Sequence, residues 1–218
     1  LPMGLTSSPA IVQAFMDEIF SIPYEGAGPM NGKTCLGNIC LSFSDDFTVF
    51  SDDKYHMDYV VFCMKVLARH GIGARPDKCV IGAKRVSFIG HYMDKDGLHV
   101  DPDKTKAVRE MPDPTDKSSL RRFLGMASYL RKFIPHFGAN TSRLTGLLQK
   151  DVKFAASFGD EHRAEIQWVK DALCSAPVLA FPDWSKQFII RTDASITGIG
   201  CTISQKQNGT RRPIAYFS

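Results

Sequence analysis

The sequence predicts an α+β fold, and three observations support this prediction. The chain has 218 residues, of which 44% are hydrophobic and 23% charged, and this is the composition of an ordinary globular protein with a buried core. Short apolar segments of the length and pattern typical of β-strands lie between residues 39 and 100, and similar segments occur again at the C-terminal end. Between these regions, from Asp101 onwards, apolar residues recur at helical spacing.

The N-terminal segment is predicted to form a helix followed by a connector. Ser8-Pro9 is a typical helix start, because a hydroxyl can cap the helix and proline suits its first position. Apolar residues at helical spacing extend this helix to about Phe20. Prolines and glycines then predict a connector over residues 21–34.

An acidic turn joins the two strands of a predicted hairpin. Residues 39–43 and 47–51 are apolar or β-prone and flank Ser44-Asp45-Asp46. Aspartate is a common turn residue, so an ordinary polar turn is one interpretation. In a second interpretation, which the apolar flanks favour, a rigid tip presents two adjacent carboxylates that suit divalent metal ions held against a triphosphate. Such a site normally needs further acidic ligands from another strand.

A second helix and a small β-meander are predicted next. Asp52 or Asp53 can cap the helix, and Gly71 is a natural end for it. Its expected buried face consists of Tyr59, Val60, Cys63, Val66 and Leu67. The predicted strands of the meander are residues 79–81, 85–92 and 98–100.

The second half of the chain is predicted to be helical first and then to return to strands. Asp101-Pro102 opens one helix, Asp116 caps another, and a third follows Gly138. A fourth helix and three final strands are predicted at residues 160–175, 188–193, 199–204 and 213–217.

Charge is distributed unevenly along the chain. Residues 1–60 contain eight acids and two bases, whereas residues 104–150 contain ten bases and three acids. An acidic segment suits cations and a basic segment suits phosphates, so this distribution is compatible with a metal site in one place and bound nucleic acid in another. An ordinary solvated basic surface is the alternative interpretation.

The sequence argues against a membrane or secreted protein. It has no apolar run long enough for a membrane span, and residues 1–10 lack the features of a signal peptide. The six cysteines form no CxxC pair, and the histidines supply no zinc-binding partner set. Reduced thiols in a reducing intracellular compartment are therefore expected.

Several short motifs occur in one consistent order along the chain. They are LPMGL at 1–5, Ser8-Pro9-Ala10 with Gln13, FSDD at 43–46, PDKC at 76–79, FIGH at 88–91, LRRFLG at 120–125, YLRKFIP at 129–135, APVL at 176–179, TDAS at 192–195, GIG at 198–200 and PIAYFS at 213–218. With these motifs the sequence resembles the reverse transcriptases of LTR retrotransposons, most closely the gypsy type. Each motif alone is weak, but the collinear set covers nearly the whole chain.

The resemblance implies three domains. Residues 1–100 would form a partial polymerase palm with a YxDD-like β-hairpin, without the fingers and the first palm strand. Residues 101–184 would form a mainly helical thumb and connection. Residues 185–218 would form the first strands of a truncated ribonuclease H-like domain.

The resemblance also implies catalytic roles. Asp45 and Asp46 would bind the two Mg²⁺ or Mn²⁺ ions of the polymerase, and Lys78 would lie near the leaving pyrophosphate. Asp193 would be the first metal ligand of ribonuclease H. Without the family, Lys78 is an ordinary surface lysine and Asp193 an acid at a strand end.

Binding roles are implied in the same way. Residues expected at the deoxynucleoside triphosphate are Met3, Gly4, Gln13 and Phe43. Residues expected at the template and primer are Pro9, the primer-grip residues Phe88, Ile89, Gly90 and His91, and the thumb bases Lys117, Arg121, Arg122, Arg131 and Lys132. Without the family, Met3 is a gap-filling core residue, Phe88 and Ile89 are core residues of a strand, and His91 is a surface histidine.

The chain departs from the family pattern in ways that bear on activity. The family's third polymerase carboxylate lies upstream of the LPxGL segment, and further ribonuclease H acids lie beyond the position matched by Ser218. Both catalytic sites are therefore expected to be incomplete in these residues, and the chain alone is expected to be inactive. Phe43 replaces the family's tyrosine, and the interval from Gln13 to Asp45 is longer than usual.

Three hypotheses for the function follow. The first is a segment of an RNA-directed DNA polymerase, a nucleotidyltransferase with associated ribonuclease H, which acts on an RNA/DNA template–primer hybrid. The second is a degenerate or co-opted, non-catalytic nucleic-acid-binding or structural subunit. The third is an unrelated α+β binding protein with accidental motif matches. Under the first, the rest of the Pol polyprotein or a second subunit is an expected partner. The expected location is the cytoplasm, within a virus-like particle, with the nucleus as the alternative.

Overall fold

The computed structural model describes residues 8–32, 37, 39–51, 54–195 and 198–218, and the chain divides into two compact units, Leu1–Ala83 and Lys84–Ser218. Each unit contains helices and antiparallel strands around its own hydrophobic core. The predicted α+β fold is confirmed. Within the described ranges, no helix is long and apolar enough to cross a membrane.

The first unit packs two helices against a two-stranded hairpin. Its elements are α1 (Ser8–Phe20), β1 (Cys40–Phe43), β2 (Asp46–Val49) and α2 (His56–Arg69). The predicted buried face of α2 is confirmed at Tyr59, Cys63, Val66 and Leu67. The N-cap residue of α2 is Tyr55, and the predicted caps Asp52 and Asp53 lie outside the described residues.

The connector after α1 contributes to the core of this unit through Tyr24, which is fully buried. Its ring packs edge-on against Tyr59 and Phe62, with ring centroids 5.0 and 4.9 Å apart. Its hydroxyl donates a hydrogen bond of 2.9 Å to the carbonyl oxygen of Ala27. A segment that the sequence predicts only as a connector is therefore fixed by aromatic packing.

The second unit begins with an antiparallel meander. Its strands are β3 (Arg85–Phe88), β4 (His91–Asp94) and β5 (Gly97–Val100). The prediction of one strand over residues 85–92 is wrong, because the chain turns at Ile89-Gly90, where φ is 48° and 61°. The predicted strand over residues 79–81 is also wrong. Val80 and Ile81 are exposed there, and β-branched residues favour a strand only where packing covers them.

The described part of the second unit continues with helices that surround its core. They are α3 (Pro102–Arg109), α4 (Lys117–Tyr129), α5 (Ser142–Gly146), α6 (Phe154–Ser157) and α7 (Asp160–Cys174). Both predicted caps are confirmed, since Asp101 accepts a hydrogen bond from the Asp103 amide and Asp116 forms a capping box with Ser119. Fully buried side chains of this core include Leu120, Phe123, Leu130, Phe133, Ile134 and Leu144.

Three antiparallel strands complete the second unit. They are β6 (Phe188–Ser195), β7 (Gly198–Gln207) and β8 (Thr210–Phe217), in the spatial order β6-β7-β8. Each strand is longer than the sequence predicts, because paired backbone groups extend a strand beyond its apolar residues.

Hydrogen bonds connect the meander, the helical region and the C-terminal sheet. Leu98 and Leu179 exchange two backbone hydrogen bonds of 2.8 and 2.9 Å, and the Ala180 amide donates to the Pro213 carbonyl at 2.7 Å. The Gly138 amide donates to the Ser218 hydroxyl at 2.8 Å. These bonds form one compact unit, but compactness does not assign domain identity. The division at residues 1–100, 101–184 and 185–218 therefore stays a prediction.

Gly97→Ala is expected to destabilise the second unit by more than about 2 kcal/mol. Gly97 has a φ of 135°, and a Cβ atom there would overlap the carbonyl oxygen of Leu179. Denaturant unfolding measures the effect. Gly125→Ala is the control, because its Cβ atom would contact nothing within 4 Å and alanine favours a helix. Equal stability of wild type and Gly97→Ala would contradict the expectation.

Candidate functional site

The acidic hairpin presents its two carboxylates at a tight turn. Phe43 pairs with Asp46, so Ser44 and Asp45 form a two-residue turn between β1 and β2. The φ of Ser44 is 56°, the positive value that a type II′ turn requires at its first central position. Asp45 and Asp46 are both exposed, and Phe43 next to them is 54% exposed. The carboxylates are therefore adjacent and open to an approaching ligand.

Gln13 connects α1 to this turn. Its side-chain oxygen accepts a hydrogen bond of 2.9 Å from the Ser44 amide, and its side-chain nitrogen donates one of 2.8 Å to Asp17. The structure therefore brings Gln13, Phe43, Asp45 and Asp46 together. Met3 and Gly4 lie outside the described residues, and so does the side chain of Pro9.

A pair of buried cysteines lies in the core from which the hairpin starts. Cys40 opens β1 and Cys63 lies on α2, and both are free thiols. Hydrogen bonding with Cys63, together with burial, raises the pKa of the Cys40 thiol far above its ordinary value. The thiol therefore stays neutral. The described cysteines are all free thiols.

The fit of the acidic hairpin to a metal ion is partial. Adjacent carboxylate oxygens are suitable ligands for a hard divalent cation. Across the described ranges, however, no group of three or more metal-ligating side chains is present. Lys78 lies exposed in the 3-10 helix Pro76–Lys78 and forms no hydrogen bond or ion pair with either carboxylate in the described part of the chain. The two aspartates therefore form the described part of a site that needs further ligands.

A second hairpin tip lies in the second unit. Phe88 pairs with His91, so Ile89 and Gly90 are the turn residues, and their two positive φ angles are those of a type I′ turn. Phe88 is buried, whereas Ile89 is 40% exposed. The alternative interpretation that Ile89 is a core residue is therefore wrong.

His91 lies beneath this tip and is only 5% exposed, so its interpretation as a surface histidine is also wrong. Its ring packs against Tyr129 and Phe133, with centroid distances of 5.1 and 5.6 Å. Nδ1 lies 2.7 Å from the carbonyl oxygen of Ile89 and donates to it, because a carbonyl can only accept. Burial, reinforced by the charge of Lys132, lowers the pKa of His91.

The five predicted thumb bases differ in their exposure and in the contacts that their side chains form. Arg121, Arg122 and Arg131 are exposed and form no ion pair within the described ranges. Lys117 donates hydrogen bonds to the carbonyl oxygens of Gln149 and Lys150. Lys132 is half-buried over the Phe133 ring, and burial lowers its pKa. The three arginines are therefore better suited to contact phosphates.

Asp193 lies on β6 opposite Gly200, and its side chain is exposed. It lines a cavity of about 240 Å³ together with His136, Arg191, Cys201 and Phe217, among others. His136 is not among the site residues that the sequence predicts. It lies in the segment between α4 and α5, and its φ is 57°. No local pattern identifies it, because the cavity forms only when that segment packs beside the C-terminal sheet.

Two family models match the chain. Residues 1–93 match the model described as reverse transcriptase (RNA-dependent DNA polymerase), and residues 158–218 match the model described as an RNase H-like domain found in reverse transcriptase. The first range contains the acidic hairpin and the second contains Asp193.

Curated relatives match the chain along its whole length. The chain is 34% identical to the retrovirus-related Pol polyprotein from transposon opus and 31% identical to that from transposon gypsy, both of Drosophila melanogaster. Each match covers 100% of this chain and 22% or 21% of the relative. The chain therefore spans about a fifth of the length of these relatives.

Solved structures of a foamy viral protease-reverse transcriptase have the same fold. The structure in complex with dsDNA matches with a TM-score of 0.76 and 22% identity, over 100% of this chain and 42% of that chain. The structure in complex with an RNA/DNA hybrid matches with a TM-score of 0.74 and 22% identity, over 99% of this chain and 27% of that chain. These structural matches show the fold, and the two family models confirm the predicted combination of polymerase and ribonuclease H-like parts.

Acid is expected to destabilise the second unit through His91. Folding lowers the pKa of His91 below its ordinary value of 6.5. As the pH falls, His91 is therefore protonated at a higher pH in the unfolded chain than in the folded chain. This part of the free energy of unfolding is fully present above about pH 6.5 and is lost as the pH falls further. Denaturant unfolding between neutral pH and about pH 5 measures the loss.

His91→Asn tests this source of the pH dependence, because asparagine keeps a side-chain donor but cannot titrate. The variant is expected to lose stability less steeply with acid than wild type does. His136→Asn is the control, since it removes an exposed histidine at a positive φ that asparagine tolerates. An unchanged slope in His91→Asn contradicts the prediction.

Proposed function

Because the chain belongs to the reverse transcriptase and ribonuclease H-like family of gypsy-type retrotransposon Pol polyproteins, we propose that it is a segment of an RNA-directed DNA polymerase that copies retroelement RNA into DNA. The acidic hairpin is the observation that carries this proposal. Asp45 and Asp46 are adjacent and exposed, and the turn that presents them is hydrogen-bonded to Gln13 of α1. An ordinary polar turn needs no such support from a separate helix.

The proposed chemistry is transfer of a nucleotide to the primer 3′-hydroxyl. Reverse transcriptases and ribonucleases H use divalent metal ions, and Asp45 and Asp46 would hold Mg²⁺ or Mn²⁺ here together with a carboxylate from outside the described residues. When bound, such ions activate the attacking hydroxyl and stabilise charge on the phosphate. Gln13 would fix the tip, Phe43 would contact the incoming deoxynucleoside triphosphate, and Lys78 would neutralise the leaving pyrophosphate.

Template and primer would bind mainly through the second unit. The exposed arginines Arg121, Arg122 and Arg131 suit the phosphate backbone, and contacts of this type are independent of sequence. The turn at Ile89-Gly90 would hold the primer end. The related foamy viral protein is described in complex with dsDNA and with an RNA/DNA hybrid, which supports the same class of ligand for this chain.

The remaining site residues extend the proposal. Asp193 would be a metal ligand of ribonuclease H, and its exposed position beside a cavity is compatible with that role. Met3, Gly4 and Pro9 are proposed to line the nucleotide and template sites. The rest of the Pol polyprotein is the proposed partner, and a cytoplasmic particle is the proposed location.

A second candidate function is non-catalytic binding of nucleic acid. It is favoured by the partial metal site, since the described residues bring together two carboxylates and no larger set of ligands. In this case the basic arginines would act without the acidic hairpin. The two functions predict different effects of replacing Asp45 in a protein extended on both sides. Nucleotide incorporation depends on Asp45 under the first function and is absent under the second.

Residues 1–218 alone are expected not to extend a primer, because Asp45 and Asp46 need a further carboxylate. The reading frame extended on both sides is expected to be active with Mg²⁺ or Mn²⁺. In that longer protein, Asp45→Asn is expected to reduce nucleotide incorporation at least about a hundredfold. A primer-extension assay on an RNA template measures all three proteins.

Asp58→Asn is the matched control for this assay, because it makes the same change at an exposed aspartate of α2 in the same unit. It is expected to leave incorporation unchanged. Robust extension by residues 1–218 would disprove the expectation about the chain alone. An active longer protein that is insensitive to Asp45→Asn would exclude the proposed catalytic role.

The affinity of residues 1–218 for a template–primer hybrid is expected to fall steeply with salt. Replacing both Arg121 and Arg122 by alanine is expected to reduce the log–log salt slope by about two units, one for each lost phosphate contact. Lys117 is left unchanged because it is hydrogen-bonded within the protein. Fluorescence anisotropy over a salt series measures the slope.

A double replacement of Lys65 and Arg69 by alanine is the matched control, because it removes the same charge from exposed positions of α2. Its salt slope is expected to stay close to that of wild type. If the double arginine variant keeps both the affinity and the slope of wild type, the arginines form only a solvated surface.

A further inference from the structure

The turn at Ile89-Gly90 has a backbone that its own residues do not favour. Both residues have positive φ, which suits Gly90 but is a genuine outlier for a β-branched residue such as Ile89. Turns of this type normally contain Asn-Gly or Asp-Gly. Contacts from outside the turn must therefore stabilise the conformation of Ile89.

Tyr129 provides a contact of this kind from a separate helix. It lies at the last position of α4, and its hydroxyl donates a hydrogen bond to the carbonyl oxygen of Ile89, 40 residues earlier in the chain. A Cβ atom on Gly90 would lie 3.1 Å from the same hydroxyl oxygen, so the turn and Tyr129 are in close contact. Burial raises the pKa of Tyr129, so the hydroxyl keeps its proton at neutral pH.

His91 provides the second hydrogen bond to the carbonyl oxygen of Ile89. Its Nδ1 donates to the same carbonyl oxygen, and its ring packs against those of Tyr129 and Phe133. Its Nε2 is buried and has no hydrogen-bond partner within the described ranges, so the Nδ1 bond and the two rings fix its orientation. The Ile89 carbonyl is therefore held by two donors, one from α4 and one from β4.

We propose that Tyr129 is a positioning residue, whose hydroxyl holds the Ile89-Gly90 turn in its left-handed conformation and fixes it to α4. This role rests on the proposed function, because the turn is taken to hold the primer end while Arg121 and Arg122 of the same helix bind the duplex backbone. The hydroxyl then sets the distance between the duplex-binding helix and the primer terminus.

A displaced primer terminus slows the chemical step more than it weakens the binding of the duplex. Tyr129→Phe removes the hydroxyl and keeps the aromatic ring. In the extended, active reading frame, this variant is expected to lower the single-turnover rate of incorporation about tenfold, the effect of one hydrogen bond to a strained group, with template–primer affinity changed less than about twofold. Tyr92→Phe is the matched control, because the Tyr92 hydroxyl on β4 forms no hydrogen bond within the described residues.

A second substitution separates positioning from direct contact with the primer. Ile89→Asn creates the Asn-Gly pair that favours this turn by itself, so it should remove the need for the hydroxyl. Tyr129→Phe is therefore expected to cost about tenfold in the wild-type background and less than about twofold in the Ile89→Asn background. An equal cost in both backgrounds would overturn the proposal, and so would a loss confined to template–primer affinity.

Hydrogen–deuterium exchange of the peptide that contains residues 88–91 gives a readout independent of polymerase activity. Exchange is expected to be faster in Tyr129→Phe than in wild type or Tyr92→Phe, and Ile89→Asn should restore slow exchange. Unchanged exchange in Tyr129→Phe would overturn the positioning role. If the extended protein does not incorporate nucleotides at all, the proposed function fails, while the exchange experiment still tests the hydroxyl.

Discussion

Two hairpin turns with unfavourable backbone conformations carry the residues to which we assign the main proposed functions. Ser44 and Ile89 have φ angles of 56° and 48° without being glycine, which costs about 1–2 kcal/mol for such a residue. Each turn is stabilised by a side chain that is remote in sequence. Gln13 accepts a hydrogen bond from the Ser44 amide, and Tyr129 donates one to the Ile89 carbonyl. In each unit, a helix therefore fixes the tip.

One of these helices, α4, contributes both to the core and to the proposed nucleic-acid site. One face of α4 is buried at Leu120, Phe123 and Ala127, while the adjacent Arg121 and Arg122 remain exposed. The same helix ends at Tyr129, which contacts the turn. Because core packing sets the rotation of the helix, it also sets the direction of the arginines and the position of the tyrosine hydroxyl. The stability of the second unit and the proposed binding of nucleic acid therefore depend on the same helix.

Much of the fold could be predicted because its signals are local. The caps at Asp101 and Asp116 and the acidic hairpin are visible in short stretches of sequence. The prediction failed at the turn between β3 and β4, where Ile89 takes a conformation that its side chain disfavours. Of the candidate site, motif order identified the residues of the hairpin and Gln13. The contact between Gln13 and Ser44, separated by 31 residues, was not predictable.

The sequence by itself determined the family and the α+β class, since collinear motifs and apolar periodicity are properties of the linear chain. Only the tertiary structure decided which of the predicted residues are free to act. It buried His91, engaged Lys117 with the carbonyl oxygen of Gln149, and left Arg121 exposed. The physical reason is that burial and hydrogen bonding depend on contacts between residues far apart in sequence. The spacing of residue types along a short stretch of sequence does not predict those contacts.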